Sequence, residues 1–181
     1  MKMGIIERKT IRNLAGKIPS KFRIIITSLR GNLTYNQDGL ACTHNCDFMN
    51  EPKFKRAYEV SKRINNLGEE VHWRAYILCW AANQVKDLEG DFVECGVYKG
   101  KSAITVMEYV NFKSLNKNFY LVDTYSGFDE DTLSGTEKDM VKYYGYDNFY
   151  EEVVNNFKGR DYAKIIQGPV PKVLSQILRE E

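Results

Sequence analysis

The chain has 181 residues, 43% of them hydrophobic and 13% aromatic, with a formal net charge of +2. That fits one domain, or one domain with an arm, and supplies enough apolar material for a packed core. No apolar run approaches the roughly 20 residues that span a bilayer, and no signal-peptide core or small-residue cleavage site follows Met1.

The charge is unevenly spread. Residues 1–30 carry Lys2, Arg8, Lys9, Arg12, Lys17, Lys21, Arg23 and Arg30 against Glu7, a net +7 that leaves −5 for the remainder. Such a basic arm can meet a membrane surface, a nucleic acid or an acidic partner. A solvated N-terminal helix is the simpler reading, and no nucleic-acid partner is expected. Residues 31–52 (GNLTYNQDGLACTHNCDFMNEP) are rich in Asn, Asp, Gly and Thr and read as loop. They contain Cys42, His44 and Cys46, but structural zinc takes four ligands and the chain has no second Cys/His pair, so no metal site is expected. Cys79 and Cys95 lie in apolar stretches, where a reduced thiol is the default, and a cytoplasmic, reducing compartment fits.

The third segment, residues 53–181, carries the regular pattern. A polar helix is expected over 53–65, with Phe54, Ala57, Tyr58 and Ile64 at near-helical spacing. A second helix is expected over 70–88, where Trp73, Ile77, Trp80, Ala81, Val85 and Leu88 repeat every three or four positions. Residues 75–82 are apolar almost all round, which predicts a largely buried helix with both tryptophans in the core. His72 opens this helix; it has the right chemistry for a general base, but packing or capping is the plainer role. After Gly90 the rhythm becomes strand–helix alternation. Residues 91–95 form a strand, 96–100 a turn, and a helix follows with Ala103, Val106, Met107 and Val110 on one face. Residues 119–123 form a second strand and 124–134 a polar loop. Thr136 with Asp139 resembles a capping box, and Phe149, Val153, Val154 and Phe157 continue with helical spacing. Residues 163–167 form a third strand, and Pro171 suits the first position of a last helix. Three successive βα units predict a parallel sheet. Doubly wound sheets carry strands on both sides of their first strand, and only one side is supplied here. The sequence therefore reads as the front part of a larger domain.

The stretch that carries chemistry is 94–102 (ECGVYKGKS). Glycines at 96 and 100 allow a sharp turn at a strand's carboxyl end and close approach of a ligand. The helix that follows offers free N–H donors. A dinucleotide fingerprint wants G-x-G-x-x-G, and Tyr98 stands where the middle glycine belongs. A phosphate loop wants G-x-x-x-x-G-K-[ST]; Gly100-Lys101-Ser102 matches its end, but Cys95 replaces the leading glycine and Glu94 sets a carboxylate beside the phosphates. It stays as the alternative. A sulfonium-bearing nucleoside, S-adenosylmethionine, fits better: Glu94 suits its cationic parts, and Asp123, ending the next strand, suits the two ribose hydroxyls. A non-catalytic half-domain completed by a partner is the reading from another class.

Residues 90–102 (GDFVECGVYKGKS), followed by 119–128 (FYLVDTYSGF), resemble the macrocin O-methyltransferase (TylF-type) family of class I S-adenosylmethionine-dependent methyltransferases. The helix at 73–83 and the turn at 168–174 (GPVPKVL) are similar to that family's lead-in helix and G-x-x-P-x-x-L turn, so the resemblance runs from about Phe48 to Leu178. It implies a Rossmann-like three-layer α/β/α fold, of which the first three βα units are present after N-terminal helices. It implies that Glu94, Gly96, Gly100 and Ser102 line the methionine end of the cofactor. Asp123, Thr124, Ser126 and Gly127 hold the ribose side, with Gln167 and Gly168 near the adenine. The implied reaction is methyl transfer to a hydroxyl of a sugar-containing or other small-molecule acceptor. Family members use Mg2+ held by an acidic D-x-D-like segment after a fourth strand. This chain has no such segment, so the resemblance leaves the catalytic residues unknown and predicts an incomplete, inactive chain. A homo-oligomer is left open.

Overall fold

The computed structural model describes residues 33–64, 70–129, 133–141 and 148–179; the basic arm lies outside them. The chain divides into two compact units, residues 1–47 and 48–181. In the smaller, Tyr35–Gln37 (β1) pairs antiparallel with Leu40–Cys42 (β2), Tyr35 opposite Cys42. Asp38 and Gly39 both adopt left-handed backbone, with φ of 52° and 66°, the two-residue turn whose twist matches that of a hairpin. The span expected to be loop therefore contains a hairpin, set by its Asp-Gly pair. Cys46 Sγ donates to Thr34 Oγ1 at 3.6 Å. Among the described residues no group of three His, Cys, Asp or Glu side chains could hold a metal ion.

The larger unit begins with two helices. Pro52–Lys62 (α1) opens on a proline, which loses no helical hydrogen bond there, and buries Phe54, Ala57, Tyr58 and Ser61 along one stripe. His72–Val85 (α2) buries Ala75, Cys79 and Ala82. The expectation of all-round burial fails for this helix: Ile77 and Trp80 are each 56% exposed. Burial needs a neighbour on each side, and α2 packs along one stripe, with α1 and the later helix Lys101–Val110, leaving its opposite side in solvent. Trp73 does join the core side, its ring 4.5 Å from that of Phe48.

Then follow Phe92–Cys95 (β3), Lys101–Val110 (α3), Phe119–Asp123 (β4), Thr136–Val141 (α4), Tyr150–Asn156 (α5) and Ala163–Gln167 (β5). The strands form one parallel sheet in the order β3–β4–β5. Glu94 stands opposite Leu121, and Asp123 opposite Gln167. Side chains alternate between the two faces. Phe92, Phe119 and Leu121 enter the main core with Ala103, Ile104 and Met107 of α3 and Val153 and Phe157 at α5. Tyr120, Val122 and Ile166 point the other way, where Val173 and Ile177 pack on them. The expected last helix is a 3-10 helix over Leu174–Arg179. A second helical layer is not among the described elements, and Val93 on β3 is 50% exposed. Before α4 a capping contact is formed by Ser134 and Glu137. Ser134 N–H donates to Glu137 Oε2 at 3.1 Å; the expected partner of Thr136, the side chain of Asp139, lies outside the described residues.

Candidate functional site

Parallel strands end together, so the loops after β3, β4 and β5 share one rim. A cavity of about 350 Å3 opens there, bounded by Gly96 and Tyr98, by Asp123, Thr124, Gly127 and Phe128, and by Phe149, Gly168 and Val170. It has the size and the apolar lining with few polar groups typical of small-molecule sites. A shallower hollow adjoins it through Thr124, Gly127 and Gly168, adding Ser126, Gln167 and Lys172.

Asp123 is the polar centre of the cavity. Its Oδ2 accepts from the backbone N–H of Tyr98 at 2.8 Å, and its Oδ1 from that of Tyr125 at 2.9 Å. The Thr124 hydroxyl, 3.3 Å from Oδ1, also contacts the Gly127 carbonyl. Tyr98 and Tyr125 both hold left-handed backbone, with φ of 51° and 55°. For a tyrosine that conformation costs on the order of 1 kcal/mol, and it persists only where surrounding structure enforces it. Here it aims two N–H donors at one carboxylate. Those bonds fix the carboxylate's orientation; the Thr124 hydroxyl has a single proton and gives it to the nearer Gly127 carbonyl, and a carboxylate has lone pairs for about four hydrogen bonds, so capacity remains for two ligand hydroxyls. Tyr125 is further anchored by its own hydroxyl, which donates to the Leu121 carbonyl at 2.8 Å.

The two glycines of the β3–α3 loop differ sharply. Gly96, φ +85°, has open space where a Cβ would stand and borders the cavity. At Gly100, φ +87°, a Cβ would lie 2.5 Å from Phe157 Cζ. That glycine lets α5 close over the loop, where Asn156 also donates to the Lys99 carbonyl at 3.1 Å. Gly100 thus packs against protein rather than bordering the cavity. Gly168 lines the cavity, but a Cβ there would collide with Val173 Cγ1.

Glu94 and Ser102 line a separate apolar groove of about 280 Å3 between α2, β3 and α3, with Leu78, Ala81, Val85 and Val106. The Oε2 of Glu94 is buried without a hydrogen-bond partner. Burial, with the nearby Asp123 carboxylate in second place, raises its pKa from 4.5 to about 7. Lys101 does not line the cavity. Its Nζ stands 5.1 Å from the Tyr58 ring centroid, and burial lowers its pKa. His72 stacks on Tyr58 at 4.3 Å, and burial lowers its pKa too.

The structure thus gathers Gly96, Asp123, Thr124, Gly127 and Gly168 at one cavity, with Ser126 and Gln167 beside it. Sequence reasoning missed Tyr98, Tyr125, Phe128, Phe149 and Val170. Tyr98 and Tyr125 each lie within two residues of a glycine in a turn, which is the one available hint; a left-handed tyrosine carries no signature of its own.

No protein-family model matches the chain, and no curated protein matches it. Among solved structures, the crystal structure of CalS11, a calicheamicin methyltransferase, is similar over 81% of this chain and 69% of its own length. The identity is 16% and the TM-score 0.43. The likeness is distant, and the functional reading rests on the chain's own residues.

Proposed function

We propose that the cavity at the ends of β3, β4 and β5 binds S-adenosylmethionine, and that the chain is the cofactor-binding part of an O-methyltransferase similar to the macrocin (TylF-type) enzymes. The observation that carries this is Asp123, held by two backbone N–H groups from left-handed tyrosines and still able to accept two more hydrogen bonds. A ribose diol is the ligand group that matches such a carboxylate. Gly96 leaves room for the chain beyond the ribose, and Phe128 with Val170 offers apolar walls for a purine. Ser126 and Gln167 stand beside that end.

When bound, S-adenosylmethionine would supply a methyl group to an acceptor hydroxyl in line, the S–C electron pair staying on sulfur and the hydroxyl proton passing to a base or to solvent. The chain's part is positioning: Asp123 fixes the nucleoside, and the walls exclude water from it. A hydroxyl of a sugar-containing or other small molecule is the proposed acceptor. Among the described residues no group of three His, Cys, Asp or Glu side chains is placed to hold a magnesium ion.

Calorimetric titration separates this reading from a phosphate loop. S-adenosylhomocysteine is expected to bind the full chain and to be lost in Asp123→Ala, with ATP binding weakly or not at all. ATP binding abolished by Lys101→Ala would overturn the proposal in favour of the loop. Silence towards both ligands would leave the half-domain.

A further inference from the structure

Glu94 and Asp123 lie on one face of the sheet. Glu94 stands opposite Leu121, and Asp123, two residues on, points the same way as Leu121. Their surroundings are opposite. Asp123 is held by backbone donors, whereas the Oε2 of Glu94 is buried with no partner. The groove that Glu94 lines is shared with Leu78, Ala81 and Val85 of α2 and with Ser102 and Val106 of α3. Among the described residues, the titratable groups that interact with it are the Asp123 carboxylate at the end of β4 and the Tyr125 phenol in the loop beyond, neither of them a cation. An acid so placed is disfavoured as an anion and stable when neutral. Glu94 lines the neighbouring groove rather than the cavity itself, but Gly96, two residues further along the chain and so roughly 7 Å away, borders the cavity, and a positive charge bound there acts on Glu94 in the sense opposite to Asp123.

We infer that Glu94 is the residue by which the site distinguishes a sulfonium nucleoside from its neutral thioether, releasing a proton to solvent when the positive charge arrives and regaining one when it leaves. The inference rests on the cofactor reading of the cavity. Binding of the charged ligand is then linked to proton release near neutral pH, where burial and Asp123 place the titration of the empty site, at about 7. Loss of the methyl group removes the charge, Glu94 takes a proton from water, and the spent ligand is held less firmly. Glu94 acts here as a specificity determinant, selecting for charge rather than for shape.

The test measures affinities of the full chain for S-adenosylmethionine and S-adenosylhomocysteine from pH 6 to pH 8, in wild type and in Glu94→Gln. A group titrating near 7 is about one-tenth ionised at pH 6 and about nine-tenths at pH 8, so the preference for the sulfonium is expected to rise about tenfold across that range. In Glu94→Gln the preference should stay flat apart from the ligands' own titration, which division of the two data sets cancels. Calorimetry of wild type at pH 7 in buffers of different ionisation enthalpy should show about half a proton released per sulfonium bound. A preference with the same pH profile in both proteins, and no proton release, would overturn the inference while leaving the cofactor reading intact. Failure of both ligands to bind at any pH would overturn both.

Discussion

Gly96 and Gly100 share a loop, a residue type and nearly the same left-handed φ, yet they do different work. Gly96 faces the cavity and Gly100 faces the Phe157 ring. An alanine at either position adds roughly 1 kcal/mol of backbone strain. At Gly100 it also drives a methyl into a packed aromatic ring, adding about 2 kcal/mol. Gly100→Ala is therefore expected to lower the urea midpoint clearly while sparing ligand affinity in the folded fraction. Gly96→Ala should fold with a small loss and bind a nucleoside at least tenfold more weakly. Equal stability losses in the two variants would contradict this division. The sequence shows both glycines but not which one meets α5, because Phe157 lies 57 residues beyond Gly100. Asp123 was legible as an acid ending a strand. Its clamp was not, since both donors are main-chain groups whose identity the sequence does not encode.

Elements were legible where a periodic pattern met a single partner. The helix at Lys101–Val110 buries Ala103, Val106, Met107 and Val110 as its spacing requires, and all three parallel strands fall where apolar runs end in a polar turn. The Pro52–Lys62 helix meets it through a polar contact that no spacing announces. Ser61, fully buried, donates to the Tyr58 carbonyl at 2.9 Å, and the Thr105 hydroxyl lies 2.7 Å from Ser61 Oγ. Thr105 is 2.7 Å from the Lys101 carbonyl as well. Removing one hydroxyl leaves the other with its main-chain partner alone and one buried hydrogen bond fewer, whereas replacing both with apolar groups takes away the polar atoms that needed that bond. Ser61→Ala and Thr105→Val should each cost about 1–2 kcal/mol, and the double variant clearly less than their sum, measured by urea denaturation. Strict additivity would show that the hydroxyls do not interact. The His72–Val85 helix misled the reading for a different reason. A helix apolar all round is buried only if something covers every side, and the sequence does not say what covers Ile77 and Trp80.

At the scale of the whole molecule, the sheet has one face closed by helices and another touched by Val173 and Ile177, so the part of the three-layer expectation that the structure bears out is the parallel sheet and its helical face. One buried acid sets a pH dependence for the entire fold. The pKa of Glu94 is raised from 4.5 to about 7, so the folded protein keeps a proton that the unfolded chain gives up between those values. Stability is therefore lost as pH climbs through that window. Glu94→Gln removes the penalty, and its advantage over wild type should grow from about 1 kcal/mol at pH 5 to about 3 kcal/mol at pH 8. A gap that stays constant with pH would mean that Glu94 ionises normally in the fold.

The account depends most on Asp123 receiving a ribose diol. Its most direct test is the affinity of S-adenosylhomocysteine against the 2′,3′-dideoxy analogue, in wild type and in Asp123→Ala. The expected result is a loss of tenfold or more in wild type on removing the two hydroxyls, and no loss in the variant. Equal affinities for the two ligands in wild type would contradict the account.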